Sequence, residues 1–477
     1  MISNRPASSA KSWLLFALCL PVMTACIDVM ALSMGIENIA KDFSATIDKT
    51  QWLLSSYTIG TAAFLITIGK LADIYGQRKL LLIGIFLFAA SSISASLANT
   101  IPFLIFSRFL QGIASAIMMT TVVSIITHHF PPNERGIAIA KWAFSCGLGL
   151  AMGPLIGGLL IYCVNWRIIF WINIPICVMA FYLIMRFVPE SKNVINQSKI
   201  DWLENTLLTI FLISVAFLLS EGDVLGWAST LVISIIFISL MLLSLLIFVE
   251  RRKTNPIIDL KLFKQQNFTS ATICGFLSYF CMYAWLFLFG VYLQNPYGLT
   301  SLQAGFLCVS FSVAFAFGSK IVGKIINTLK SKALIQIGFI IAAIAFLWMS
   351  TVSAQTQLWQ FIPMFFLLGL AITTINAPSM TPATEYVPAE KIGIASGTIF
   401  TLRWLGGSLG VVLVTLIYRL TSQWSMMRLH HPIAQSLTTG LSIACLALAC
   451  IAIIGLGFAT KLVQTRETIV ELKLNTE

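Results

Sequence analysis

The chain has 477 residues, of which 58% are hydrophobic and only 10% charged, with a mean hydropathy of +0.90. A soluble domain carries about 25% charged residues, so a cytosolic enzyme, a secreted domain and a disordered scaffold are excluded, and lipid is the solvent for most of the chain. The net charge of +12 would raise nucleic acid for a soluble protein; here it raises the question of which side of a membrane holds the cations.

Apolar runs long enough to span a bilayer follow one another from the N-terminus. Their approximate limits are 12–35, 51–71, 80–99, 101–127, 137–163, 168–188 and 202–220, then 229–249, 268–294, 302–322, 333–352, 358–382, 393–419 and 438–460. Lipid leaves no partner for free backbone groups, so each run is expected to be a helix. The first run follows Arg5 and Lys11 and is too long for a signal-peptide core. The runs are apolar all round, whereas a membrane β-barrel alternates within ten-residue strands.

Charge supports the count of fourteen. With the N-terminus placed in the cytoplasm, 23 of the 30 Lys and Arg residues fall on the cytoplasmic side and five outside, leaving Arg108 and Arg403 within spans. That asymmetry obeys the positive-inside rule and puts both termini in the cytoplasm. The basic balance therefore reports topology, and no nucleic-acid partner is expected. The ten cysteines fall in apolar stretches without metal spacing, where Cys acts as a small hydrophobe. No metal site, soluble domain or P-loop is expected, which leaves no evident use of ATP.

In the first run, Asp28 is the one acid deep inside a span. An intramembrane carboxylate is costly and is functional by default; a buried acid beside a cation suits a proton exchanged during a cycle. A structural Asp locked to an Arg is the alternative. Arg108 cannot lose its charge, and Asp28 is its natural partner. After the second run comes Gly69-Lys70-Leu71-Ala72-Asp73-Ile74-Tyr75-Gly76-Gln77-Arg78-Lys79. Here Asp73 and Arg78 sit at the membrane edge, able to make contacts in one conformation only, and Gly69 and Gly76 permit a tight turn. An ordinary basic loop is the plain alternative. In the fifth run, Gly149, Gly153 and Gly157 recur every four residues on one face, with Pro154 and Gly158 beside them. Such a surface lets helices approach closely, either statically or at a contact that opens and closes. Tyr57, Gln111, Tyr283 and Trp285 are candidate lining residues of a pocket, where rings stack on flat or cationic ligands. The four histidines lie in loops, and no Ser/His/Asp set can be assembled.

Taken in order, these segments resemble the major facilitator superfamily. The Gly69–Lys79 loop looks like its signature loop, and Arg108-Phe109-Leu110-Gln111-Gly112 like its R-x-x-q-G motif. Gly149-Leu150-Ala151-Met152-Gly153-Pro154-Leu155-Ile156-Gly157-Gly158 resembles the antiporter motif of exporters. Asn165-Trp166-Arg167-Ile168-Ile169-Phe170-Trp171-Ile172-Asn173-Ile174-Pro175 resembles a segment of the fourteen-helix drug:proton antiporter family (EmrB/QacA type), and Leu402–Gly410, with Arg403, resembles a second-half segment of it.

The resemblance implies an all-α integral membrane protein of fourteen transmembrane helices. It would have an N-terminal six-helix bundle (1–190), an inserted two-helix hairpin (191–250) and a C-terminal six-helix bundle with a short cytoplasmic tail (251–477). It implies a secondary active transporter rather than an enzyme, in the plasma (inner) membrane, exporting small amphipathic or cationic compounds by alternating access. The energy source would be the proton gradient, with no cofactor. Asp28 and Arg108 would couple protons, Gly69, Asp73, Gly76 and Arg78 would form a cytoplasmic gate, and Arg403 would mark a second-half site. The partners would be protons, substrate, membrane lipid and, in some relatives, a periplasmic adaptor protein. A facilitator or importer of one solute is the alternative; a polytopic membrane enzyme is the alternative of another class and lacks an intramembrane nucleophile or metal set.

Overall fold

The computed structural model describes residues 8–130, 132–190, 202–252, 261–325, 329–353, 355–384, 387, 392–429 and 432–463. Among these residues every regular element is helical, as expected where apolar side chains leave the backbone to satisfy itself. The first half holds α1 (Ser8–Asp42), α2 (Ile47–Tyr75), α3 (Gln77–Ser96), α4 (Ile101–His129), α5 (Pro132–Cys163), the single turn α6 (Ile168–Trp171) and α7 (Asn173–Phe187). Then come α8 (Trp202–Leu225) and α9 (Thr230–Arg252). The second half holds α10 (Gln266–Gln294), α11 (Ser301–Ile325), α12 (Ser331–Met349), α13 (Phe361–Asn376), the short α14 (Met380–Thr384), α15 (Ile392–Arg428) and α16 (Ile433–Thr460).

Twelve helices among the described residues are long and apolar enough to cross a membrane, against the fourteen expected. The two long helices outside that count are α2 and α8. Charges crowd the ends of both: Asp48, Lys49 and Lys70 in α2, Glu204 and Glu221 in α8. In α8 the apolar stretch shortens to Trp202–Leu218.

Helix pairing repeats between the halves. In the first, α1 packs on α5 and α7, α4 on α2 and α3, and α3 on α7; in the second, α10 packs on α15 and α16, α13 on α11 and α12, and α12 on α16. The halves meet where α5 lies on α11, α2 on α15 and α1 on α10. α8 and α9 pair with each other, and α8 also touches α2 and α15. Two left-handed glycines make the sharp turns, Gly76 (φ 89°) between α2 and α3 and Gly226 (φ 83°) between α8 and α9, where a Cβ would be strained.

Burial ranks the helices. In α1 and α10, 89% and 83% of the most apolar stretch is buried, against 22% in α9. α1 and α10 thus line the centre, while α9 offers its side chains to lipid. Polar residues on α1 must be satisfied by protein, and this places the site.

Candidate functional site

The expected partners meet. Asp28 on α1 and Arg108 on α4 are both fully buried, and Arg108 Nη1 donates to Asp28 Oδ2. The same nitrogen donates to Gln111 Oε1 at 2.6 Å, one helical turn on, and Arg108 Nε donates to the Leu53 carbonyl at 3.2 Å. The other Asp28 oxygen accepts from Asn173 Nδ2 at 2.7 Å. Ser92 Oγ closes the ring, 2.7 Å from Gln111 Nε2 and 3.2 Å from Asn173 Nδ2. Side chains from four helices, α1, α3, α4 and α7, and a backbone carbonyl of α2 thus contribute to one cluster. Among the described residues, two of its polar atoms, Arg108 Nη2 and Asn173 Oδ1, have no hydrogen-bond partner, although such atoms are costly to bury unpaired.

Glycine sets the approach that makes this geometry. A Cβ at Gly112 would collide with the Tyr57 carbonyl oxygen, and one at Gly60 would lie 2.5 Å from the Phe109 carbonyl. Without side chains there, α2 and α4 close up, and the Tyr57 ring lies 4.6 Å from the Arg108 guanidinium carbon. The other side of Tyr57 meets the second half: its ring is 6.0 Å from Trp404 on α15, and Trp404 is 5.8 Å from Tyr279 and 5.7 Å from Tyr283, both on α10. Tyr279 in turn lies 6.0 Å from the Arg403 guanidinium carbon. A line of rings therefore joins the two buried arginines across the boundary between the halves.

Arg403 is held differently. It is buried, and its Nη2 donates to the Asn376 carbonyl at 3.0 Å and Ser379 Oγ at 2.7 Å. Asn376 ends α13, where carbonyls lose their intrahelical donors, and Pro378 follows. Among the described residues no carboxylate pairs with Arg403; Glu390 and Glu385, the nearest acids in sequence, lie outside them.

Tyr57, Gln111 and Tyr283 therefore gather around the line between Asp28 and Arg403. Trp285 does not. It stacks on Phe311 at 4.5 Å and meets Phe365 edge-on at 5.0 Å, inside the second half. It lies two residues beyond Tyr283, which turns it to another face of the helix.

The small-residue face of α5 divides into two. Gly149, Gly153 and Gly157 press on α1, within their own half: Cβ atoms there would crowd Met23, Met30 and Ala31. The residues facing the other half are Pro154 and Gly158. Gly305 on α11 sits against the Pro154 carbonyl, and a Cβ on Gly158 would be 2.5 Å from the Ser301 carbonyl. The four-residue ridge read from sequence is thus a packing face, and the ridge one residue on lines the boundary, because successive residues turn by 100°. Gly406 and Gly410 on α15 repeat the packing role against Phe276 and Phe280 of α10.

Of the expected gate, Gly76 makes the α2–α3 turn. Arg78 Nη2 donates to the Met185 carbonyl at 2.5 Å and Nη1 lies 3.8 Å from Glu190, all within the first half. The side chain of Asp73 and the surroundings of Gly69 lie outside the described residues.

Several residues of these contacts were not singled out from sequence. Asn173 had a legible signal, a lone amide in an apolar run. Ser92 had none, since serine is common in such helices. Trp404 lies in the Leu402–Gly410 segment, where a tryptophan in an apolar helix carries no signal of its own. The Trp166–Arg167 pair clasps the end of α1: Arg167 Nη1 and Trp166 Nε1 donate to Asp42 Oδ2 at 2.8 and 3.0 Å. At this end the halves also close on each other. Gln294 Nε2 donates to the Met34 carbonyl at 3.0 Å, and Ser301 Oγ lies 2.9 Å from Asn38 Oδ1 and 3.0 Å from Gln294 Oε1.

Comparison with known proteins gives one family. Residues 18–411 match the Major Facilitator Superfamily. Among curated relatives, the chain is 30% identical over 387 residues to the multidrug resistance protein Stp of Mycobacterium tuberculosis, covering 80% of this chain and 71% of that one. It is 30% identical over 443 residues to the quinolone resistance protein NorB of Staphylococcus aureus, covering 92% and 95%. It is 29% identical over 401 residues to the riboflavin transporter RibZ of Clostridioides difficile, covering 84% and 87%. Among solved structures, an inward-facing bacterial homolog of the human lysosomal transporter Spinster aligns with a TM-score of 0.68 at 15% identity, over 96% of this chain and 98% of that one.

Proposed function

This chain belongs to the Major Facilitator Superfamily and is a membrane transporter rather than an enzyme; from that premise we propose that it exports small amphipathic or cationic compounds in exchange for protons. The observation that carries the reading is the Asp28–Arg108 pair, fully buried within candidate spans. Relatives named for multidrug and quinolone resistance support export as the direction.

In this mechanism Asp28 is the proton carrier. Ionised, it holds Arg108 and accepts from Asn173. A proton on Asp28 removes the negative charge, and Arg108 is left on Gln111, the Leu53 carbonyl and the Tyr57 ring. A buried guanidinium without its anion is unstable by several kcal/mol in magnitude, on the order of 3–5, which is enough to drive rearrangement. The Tyr57 ring lies tilted against Trp404, so movement of Arg108 is felt at the boundary between the halves. The aromatic line Tyr57–Trp404–Tyr279–Tyr283 is the surface on which a flat or cationic substrate would stack.

The fourteen-helix subtype is part of the proposal. The repeated helix pairing of α1–α7 and α10–α16 supports it, with α8 and α9 as a hairpin between two six-helix bundles. The orientation is proposed from the cation asymmetry: termini in the cytoplasm, the Asp42 end outside, the membrane being the plasma membrane. Pro154, Gly158 and Gly305 would then form the sliding contact between the halves, and Gly149, Gly153 and Gly157 would keep the first half rigid.

Inverted membrane vesicles test the coupling. Ethidium uptake driven by a pH gradient is expected for the wild type and not for Asp28→Asn; wild-type uptake by that variant would sink the mechanism. The RibZ relative favours a second reading, a transporter of one defined solute. Counterflow without a proton gradient separates the two, since a facilitator still equilibrates its solute.

A further inference from the structure

Two cysteines meet across the seam between α1 and α5. The small-residue ridge of α5 makes this seam tight: a Cβ on Gly149 would lie 2.6 Å from the Met23 carbonyl oxygen and 2.9 Å from Cys26 Cβ. Cys146 stands one turn before Gly149 on the same ridge. Its side chain is in hydrogen-bonding contact with that of Cys26. Both thiols are free. Cys19, about two turns before Cys26 on the same face of α1, meets Ser145. Close approach of two backbones, permitted by the glycines, is what lets side chains as short as cysteine touch from one helix to the next.

The surroundings narrow the chemistry. Cys26 is buried and Cys146 half-buried, so Cys146 is the sulfur an incoming molecule meets first. Cys26 lies within electrostatic reach of the Tyr57, Tyr279 and Tyr283 rings, and Cys146 of Tyr279. Among the described residues no group of three His, Cys, Asp or Glu side chains could hold a metal ion. The pair therefore suits a soft electrophile that takes two sulfurs and needs no third ligand, and the rings suit an apolar, flat substituent on it. We propose that Cys26 and Cys146 form a dithiol site for trivalent organoarsenicals. In the capture step both sulfurs bond to arsenic, and the arsenic-bound oxygen takes the two thiol protons and leaves as water. Arsenic stays trivalent, so the step needs no oxidant or reductant. The second As–S bond forms within one molecule, which raises retention by roughly a hundredfold or more over a single thiol. The closed ring staples α1 to α5, two residues along α1 from Asp28.

Capture requires neither transport nor proton coupling, so failure of the vesicle uptake test leaves it standing, and its own failure leaves the transport reading untouched. The test treats the full-length protein in lipid nanodiscs with phenylarsine oxide, washes it with 2-mercaptoethanol, and counts the retained phenylarsenic groups by intact-mass spectrometry. One group per chain is expected, resistant to this monothiol and removed by 2,3-dimercaptopropanol, which offers arsenic two sulfurs at once. Cys26→Ala and Cys146→Ala are each expected to cut the retained adduct by about tenfold or more, and Cys19→Ala to leave it in place. A second measurement on the wild type keeps the test independent of how the variants fold. Phenylarsine oxide should protect Cys146 from N-ethylmaleimide, and the dithiol should restore its labelling, both read by peptide mapping. No retained adduct, an adduct lost to 2-mercaptoethanol, full retention in Cys26→Ala, or unprotected Cys146 in the treated wild type overturns the proposal. Loss of the adduct in Cys19→Ala would assign the arsenic to another pair of sulfurs and overturns it too.

Discussion

The two halves bury an arginine each and treat it in opposite ways. In α1–α7, Arg108 meets a carboxylate, an amide and a ring, in a cluster closed by Asn173 and Ser92. In α10–α16, Arg403 meets a helix-end carbonyl and a serine hydroxyl, with no carboxylate among the described residues. The first arrangement changes its net charge when a proton arrives, and the second does not. On the proposed mechanism, coupling is therefore concentrated in the first half, while the second contributes the aromatic surface of Tyr279, Tyr283 and Trp404.

The largest effect that would break this comparison is expected from Arg108→Ala. It leaves Asp28 buried without its cation, a change that costs about 3–5 kcal/mol. A clear fall in melting temperature and loss of vesicle uptake should follow; a variant as stable as the wild type would show that the pair carries little of the first half's stability. Arg403→Ala removes two hydrogen bonds to neutral acceptors and leaves no carboxylate buried without its cation. Its loss of stability should be smaller, with the pH dependence of transport unchanged. If Arg403→Ala shifted that dependence as strongly as Asp28→Asn, coupling would be shared between the halves.

The two ridges of α5 give a finer contrast. Gly158→Ala sets a methyl against the Ser301 carbonyl of the other half and should slow transport more than it lowers the melting temperature. Gly153→Ala sets one against Met30 of its own half and should do the reverse. Matching phenotypes would mean that α5 does not separate rigid packing from the moving contact. The smallest effect is expected from Tyr57→Phe, which keeps the ring over Arg108, whereas Tyr57→Ala loses a cation–π contact of about 0.5–2 kcal/mol. Measured ethidium affinity should change little in the first variant and fall in the second.

Much of the candidate site could be read from the residues because charge is scarce. Asp28 and Arg108 stand out in apolar runs, and the structure brings them together. Asp28 is not alone among buried acids, since Glu37, Glu204 and Glu250 are buried as well. They lie near helix ends, where a sequence gives no measure of depth. Asn173 could be found as a lone amide; Ser92 could not, because a serine on a helix can return its hydroxyl to its own backbone and needs no partner. The α5 glycines show the same limit. Their spacing fixes a common face, but which neighbour that face meets depends on the rotation of the helix within the bundle.

What the sequence determined by itself is the solvent, the helical class and the costly charges. Each of these follows from composition or from local periodicity, which need no knowledge of neighbours. The tertiary structure decided the pairings: Asp28 with Arg108 and Asn173, Tyr57 with Trp404 across the halves, Gly158 rather than Gly157 at the boundary, and Cys26 with Cys146. These contacts join residues from 80 to several hundred positions apart. They arise only when close helix approach, set by where glycines omit a side chain, brings particular faces together.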